Sequence, residues 1–225
     1  EPLPHRHPPA EANTLADYRQ RYSLYKMDAD LQAVHAAAAF IMSFDDHEID
    51  DNWASASDKD GSPDQVFALR KAAALQAWYE HLPVRRAQMP RQGALMYRRF
   101  DYGRLLRMHV LDTRSHRSDQ LCERPGLTRQ EITRCIPQDL PGRTMLGARQ
   151  EAWLNQGLSR DAGWNVIAQQ VMMMPHDVRK DGATEPVVSA DNWNGYALAR
   201  QRVIDSIRLK QLTNVVIVSG DAHQN

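Results

Sequence analysis

Hydrophobic positions change period along the chain, and the changes mark its elements. Leu15, Tyr18, Tyr22 and Tyr25 recur at i, i+3, i+7 and i+10, which predicts one face of a helix, with Thr14 placed to cap it. A second helix is predicted from about Ala29 to Ala38. The run Ala39-Phe40-Ile41-Met42-Ser43-Phe44 has the length of a buried strand and stops abruptly at Asp45. Asp45 to Asp64 reads as loop and Val66 to His81 as helix. Tyr97 to Tyr102 and Leu105 to Leu111 read as two strands around the turn Asp101-Tyr102-Gly103-Arg104. Ser115 to Gly147, with few apolar residues and several Pro and Gly, reads as a long connection. Then follow a helix at Ala148 to Leu158, a strand at Trp164 to Met173 and a loop at Asp181 to Asn194. A helix marked by Tyr196, Ala199, Val203 and Ile207 leads to a β-branched strand at Asn214 to Ser219. Strands and helices alternate without internal repeats, so the predicted class is α/β.

Composition narrows the function classes. The 225 residues suit one large domain, and 28 basic residues balance 28 acidic ones. Zero formal charge leaves no electrostatic footprint for a nucleic acid or an anionic membrane. No apolar run approaches the roughly 20 residues that span a bilayer, and no basic-then-apolar leader opens the chain. The two cysteines, Cys122 and Cys135, fall in one loop-like stretch and are expected to pair in an exported protein.

The densest chemistry lies in Phe44-Asp45-Asp46-His47-Glu48-Ile49-Asp50-Asp51-Asn52-Trp53. Its crowded carboxylates are costly without cations to neutralise them. Oxygen ligands of this kind favour Ca, Mg, Mn or ferric iron over zinc. A solvated acidic loop is the bland alternative, and the flanking Phe44 and Trp53 speak against it. A second motif, Ser219-Gly220-Asp221-Ala222-His223, puts an acid and an imidazole after an apolar strand. In Leu111-Asp112-Thr113-Arg114-Ser115-His116-Arg117, Arg114 and Arg117 could clamp a phosphate, or Asp112 and Arg114 could form a structural ion pair. In Asp191-Asn192-Trp193-Asn194-Gly195-Tyr196, Asp191 or Asn192 could cap the following helix or serve a site.

Leu15-Ala16-Asp17-Tyr18-Arg19, Asp45-Asp46-His47-Glu48 with Asn52-Trp53, Leu111-Asp112-Thr113-Arg114, Trp193-Asn194-Gly195-Tyr196 and Ser219-Gly220-Asp221-Ala222-His223 occur in that order. This series resembles the alkaline phosphatase D (PhoD-like) family, related to the calcineurin-like metallophosphoesterases. The resemblance implies a β-sandwich flanked by helices, export by the twin-arginine route, and ferric iron and calcium as cofactors. It implies that Asp46 is a metal ligand, that His47 is the proton donor or charge stabiliser, and that Asp221 and His223 bind two different metals. Asp51 or Asn52 would reach the metal or the phosphate, and Asp45 joins the same acidic ligand set. The family's upstream Gly-Asp-x-x-Tyr segment has no counterpart here. Residues 1–225 are therefore expected to be part of a catalytic domain, with family sequence before Glu1 and after Asn225.

The expected reaction is metal-dependent hydrolysis of phosphomonoesters or phosphodiesters in the periplasm or outside the cell. Two or more metal ions, His47 and an Arg114 clamp on the phosphate ester would carry it. The 225 residues alone are expected to be nearly inactive. A non-catalytic binding module and a mononuclear iron oxygenase built on His47, His223 and a carboxylate are the alternatives. The substrate and oligomeric state are not written in the sequence. If both acid–His motifs end neighbouring strands, Asp46 and His47 should meet Asp221 and His223.

Overall fold

The structure is a computed structural model that describes residues 8, 10–90, 94–122, 126–136, 140–179, 182 and 184–220. Its first helix, α1 (Leu15–Lys26), begins at the expected cap. The Thr14 hydroxyl accepts from Asp17 N at 3.3 Å, and the Asp17 carboxylate accepts from Thr14 N at 2.8 Å. Asp28 caps α2 (Ala29–Ala37) by accepting from Leu31 N at 2.8 Å. Pro63 precedes α3 (Asp64–His81), where its fixed φ and missing N–H cost nothing. The first and third helices pack together, joined at the surface by Arg19 and Glu80 at 2.6 Å. Between them and the Asp45–Trp53 segment lies one hydrophobic cluster: Tyr18, Phe44, Ile49, Trp53, Phe67, Trp78 and Met96 are all buried.

The described residues contain one sheet, in the order β1 (Arg98–Tyr102), β2 (Leu106–Val110), β3 (Trp164–Gln169), β4 (Val215–Ser219). The first two strands form an antiparallel hairpin with Tyr102 opposite Leu106. Gly103 takes φ +57° in its turn, a left-handed conformation that glycine adopts at least cost. The second, third and fourth strands run parallel, with Val110 beside Ala168 and Ala168 beside Val218. Their carboxyl ends therefore share one edge, where open α/β sheets place ligands. Two helices, α5 (Gly147–Gly157) and α6 (Ala197–Leu209), supply the second cluster. Leu154, Leu158, Ala199 and Val203 pack there with Ile167, Leu111, Trp193 and Tyr196.

Three sequence expectations change. Ala39 to Phe44 is not a strand. It pairs in no ladder, Phe40 and Ile41 are 37% and 38% exposed, and only Phe44 is buried. An apolar run becomes a strand only where a partner ladder exists. Here side chains hold the segment instead: Arg98 donates to Met42 O, and Gln170 Nε2 donates to Ser43 Oγ at 2.5 Å. The third strand stops at Gln169 rather than Met173, because Gln170 leaves the ladder to make these loop contacts. The long connection holds a helix, α4 (Arg129–Cys135), opened by a Thr128–Glu131 capping box. The expected Cys122–Cys135 disulfide ties its end back, with the Cα atoms 5.7 Å apart.

Candidate metal centre

The acidic segment is a tight turn folded over its own carboxylates. Ile49 N and Asp50 N both donate to Asp46 O at 2.8 Å. Glu48 reaches back so that its carboxylate accepts from Asp45 N at 2.7 Å. Asn52 adopts φ +54°, which aims its N–H at Asp46 Oδ2, 3.1 Å away. On the helical side, the Tyr18 hydroxyl donates to Ile49 O and accepts from Arg70 Nε at 3.0 Å. Arg70 also pairs with Asp50 at 2.9 Å. Phe44 and Trp53, 2% and 0% exposed, pin the two ends of the turn into the core. This is a packed segment, not a solvated acidic loop.

On the sheet side, two buried arginines hold the same turn. Arg114 follows the second strand and is 1% exposed. Its Nε donates to Asp45 Oδ1 at 2.5 Å, and its terminal nitrogens form a bidentate pair with Asp191 at 2.6 and 2.7 Å. Arg117 donates to Asn52 O at 2.8 Å, to Trp53 O at 2.7 Å, and to the Asp191 carboxylate at 2.8 Å. Gln120 adds bonds to Asn52 O at 3.2 Å and to Asp191 at 2.6 Å. Burial alone would raise the Asp191 carboxyl, but Arg117 and Arg114 outweigh it and hold the group down at about 2. Burial pushes Asp45 the other way, up to about 6, with Arg114 only partly opposing. Asp45 Oδ2 is buried and accepts no hydrogen bond from the described residues.

Asp46, His47 and Asp51 each offer one ligand atom, and these atoms all lie within 4.8 Å of one another. His47 Nε2 is 3.8 Å from both Asp46 Oδ2 and Asp51 Oδ1. The Asp46 side chain is buried, while that of His47 is 65% exposed. Two carboxylates and an imidazole suit a hard or borderline cation. Lys59 pairs with Asp51 and neutralises part of this charge. His47 and Asp51, but not the buried Asp46, line a cleft of about 700 Å³ together with Lys59, Tyr22 and Tyr25.

Comparison with known proteins gives the chain a family. A model of the PhoD-like phosphatases matches residues 2–225. The chain belongs to the PhoD-like phosphatase family. It is 41% identical over 219 residues to alkaline phosphatase D of Bacillus subtilis (strain 168), covering 96% of this chain and 36% of that protein. A solved structure of PhoD superposes with a TM-score of 0.83 at 41% identity, over 96% of this chain and 41% of that one. The α/β class, with helices flanking the sheet, is thus the architecture of a PhoD-like fold.

Within this PhoD-like chain the structure brings Asp45, Asp46, His47, Asp51, Asn52 and Arg114 into one neighbourhood. Asp221 and His223 lie outside the described residues, and so does their expected meeting with Asp46 and His47. The fourth strand leading to them ends at Ser219, level with Gln169 on the shared edge. Arg114 is surrounded by carboxylates rather than turned to the cleft. Its pair is not with Asp112, which instead accepts from Arg114 N and Ser115 N at 3.0 and 2.8 Å. Asn192 caps the short 3-10 turn Trp193–Tyr196 by accepting from Asn194 N at 2.9 Å, whereas α6 itself has no side-chain cap. Gln169, Gln170 and Gln120 carry no motif signal. Gln170 accepts from Thr113 N and Oγ1 at 3.0 and 2.7 Å and donates to Leu111 O at 2.7 Å, which locks the ends of two strands to Ser43. Only the position of two glutamines just past an apolar strand could have drawn attention to this lock.

Proposed function

We propose that this chain contributes part of the active site of a metal-dependent phosphatase acting on phosphomonoesters, phosphodiesters or both. The observation that carries the reading is the approach of the Asp46 and Asp51 carboxylates to the exposed His47 imidazole, with Asp51 and His47 lining the cleft, in a member of this family. Asp46, held by the Asn52 amide, would ligate the metal from the buried side, and Asp51 from the exposed side. Asp45 and Asn52 flank them, and Asp221 and His223 would complete the set. Metal ions bound there, ferric iron and calcium in the reading that family resemblance favours, supply charge neutralisation at the phosphoryl oxygens.

The protein's own groups do the rest. His47 is exposed to the cleft and close to two carboxylates, so it can carry a proton to the leaving oxygen or stabilise charge there. Arg114 acts indirectly, by holding Asp45 and Asp191, rather than as the phosphate clamp. The Cys122–Cys135 disulfide favours an oxidising compartment, in line with a periplasmic or secreted protein.

The test is hydrolysis of an aryl phosphate and of a bis-aryl phosphate diester by the intact protein that carries this chain, before and after a chelator, followed by addition of defined metals. Activity that is lost on chelation and restored by metal is the expected result. Hydrolysis that survives complete metal removal would overturn the reading.

A further inference from the structure

We infer that Asp191 is a positioning residue of this centre: through Arg117 and Gln120 it fixes the Asn52–Trp53 backbone, and through Asn52 it sets the oxygen that Asp46 presents. The inference rests on the reading of Asp46 as a ligand, but its core is geometric. Asp191 Oδ1 accepts from Arg114, Arg117 and Gln120, at 2.6, 2.8 and 2.6 Å. Two of those donors, Arg117 and Gln120, also hold Asn52 O. That carbonyl belongs to Asn52 in the left-handed region, which asparagine tolerates better than most residues, and these two donors fix it there. The N–H of the same residue is the donor to Asp46 Oδ2. A chain of direct bonds therefore runs from Asp191 to Asp46 over four residues.

The placement of Asp191 is itself constrained. Gly195 lies so close to Ala190, the residue before Asp191, that a Cβ there would sit 2.9 Å from Ala190 C and 3.2 Å from Ala190 Cα, and closer still to its carbonyl oxygen. Trp193 anchors the same segment by donating from Nε1 to Gln169 Oε1 at 3.0 Å. The Trp-Asn-Gly-Tyr stretch thus serves as a mount that presents Asp191 to two arginines. Outer partners of this kind typically alter metal affinity 10–100-fold when removed.

The decisive experiment compares the protein with its Asp191→Asn variant, which keeps size and removes charge. Amide hydrogen exchange, measured without metal, is expected to quicken at least roughly tenfold at Asn52 and Trp53 while Val166 and Ile167 in the third strand stay protected. Mn²⁺ titration is expected to show dissociation weakened roughly 10–100-fold. A uniform acceleration of all amides, with Mn²⁺ affinity of the folded protein unchanged, would reduce Asp191 to a general stabiliser and overturn the inference. If the original protein binds no Mn²⁺, the reading of the centre fails, while the exchange data still decide the positioning role. Should Asp191→Asn fail to fold, Gln120→Ala carries the test, since it leaves both arginine pairs in place. Faster exchange confined to Asn52 and Trp53 is then expected, and unchanged exchange there sinks the proposal.

Discussion

Arg114 and Asp45 are 69 positions apart in sequence, yet Arg114 Nε lies 2.5 Å from Asp45 Oδ1 in a setting almost closed to water. Replacing Arg114 by Met would leave the half-buried Asp45 without its cation and Asp191 with Arg117 alone. Breaking such a pair from one side typically costs roughly 3–5 kcal/mol, because the stranded charge keeps its desolvation penalty. Urea unfolding of Arg114→Met should show a loss of that order in the midpoint with the slope preserved. A loss below about 1 kcal/mol would mean that the network adds little net stability.

His47 should behave in the opposite way. Its side chain is 65% exposed and packs into neither hydrophobic cluster. His47→Gln is expected to lower phosphatase turnover by about 10²–10⁴-fold, the range of general acid–base groups. Its unfolding midpoint should stay within about 0.5 kcal/mol of the parent, as for other surface substitutions. Turnover equal to the parent would move the proton-transfer role elsewhere.

A buried histidine should make stability depend on pH. His109, in the second strand, is fully buried against Gly157 and beneath the edge of Trp153, with ring centroids 5.5 Å apart. Burial, helped by Arg99 and Arg107 and opposed by Asp101, lowers its pKa from 6.5 to about 4. Between those values the unfolded chain binds a proton that the folded chain refuses. Stability from this residue is therefore whole above about pH 6.5 and declines as the pH falls toward 4. His109→Leu should flatten the curve in that window, whereas the Asp191 contribution is lost only at lower pH, between its ordinary value of 3.8 and about 2. Thermal unfolding at half-unit pH steps distinguishes the two. An unchanged slope between pH 6.5 and 4 in His109→Leu would exclude this histidine as the source.

Gly195→Ala probes the mount of Asp191 without touching a charge. The added methyl meets backbone atoms of Ala190, which cannot rotate away as a side chain would. A cost of roughly 1–3 kcal/mol is expected, typical of a forced backbone shift. Mn²⁺ affinity should fall with it. Full affinity in a folded variant would show that the Asp191 segment tolerates displacement.

Local patterns in the sequence carried most elements of the fold. The Thr14 cap with its Leu15–Tyr25 stripe, the hairpin around Gly103 and the Val-Val-Ile-Val strand are all short-range signals, and each has its counterpart in the structure. The packed acidic turn was also readable, because Phe44 and Trp53 bracket it. What failed depended on partners far along the chain. Ala39 to Phe44 has the composition of a strand but no ladder to join, and Arg114 has the composition of a clamp but two carboxylates to satisfy. The helix at Arg129–Cys135 was hidden by the prolines and glycines around it. No periodicity announces a pairing between Arg117 and Asp191, 74 residues apart.

The separations in that network bear on the order of folding. Its bonds close loops of 64 to 77 residues, from Trp53 to Arg117 and from Arg114 to Asp191. Contacts so distant in sequence bear the full entropy of loop closure before they return any energy, so they tend to form late. The helices and the β1–β2 hairpin, whose bonds are local, would form first, and the arginines would later latch the two hydrophobic clusters to each other. Interactions absent from the transition state act on the escape rate rather than on the approach. The carboxylate hub is thus expected to govern how long the native state lasts more than how quickly it is reached.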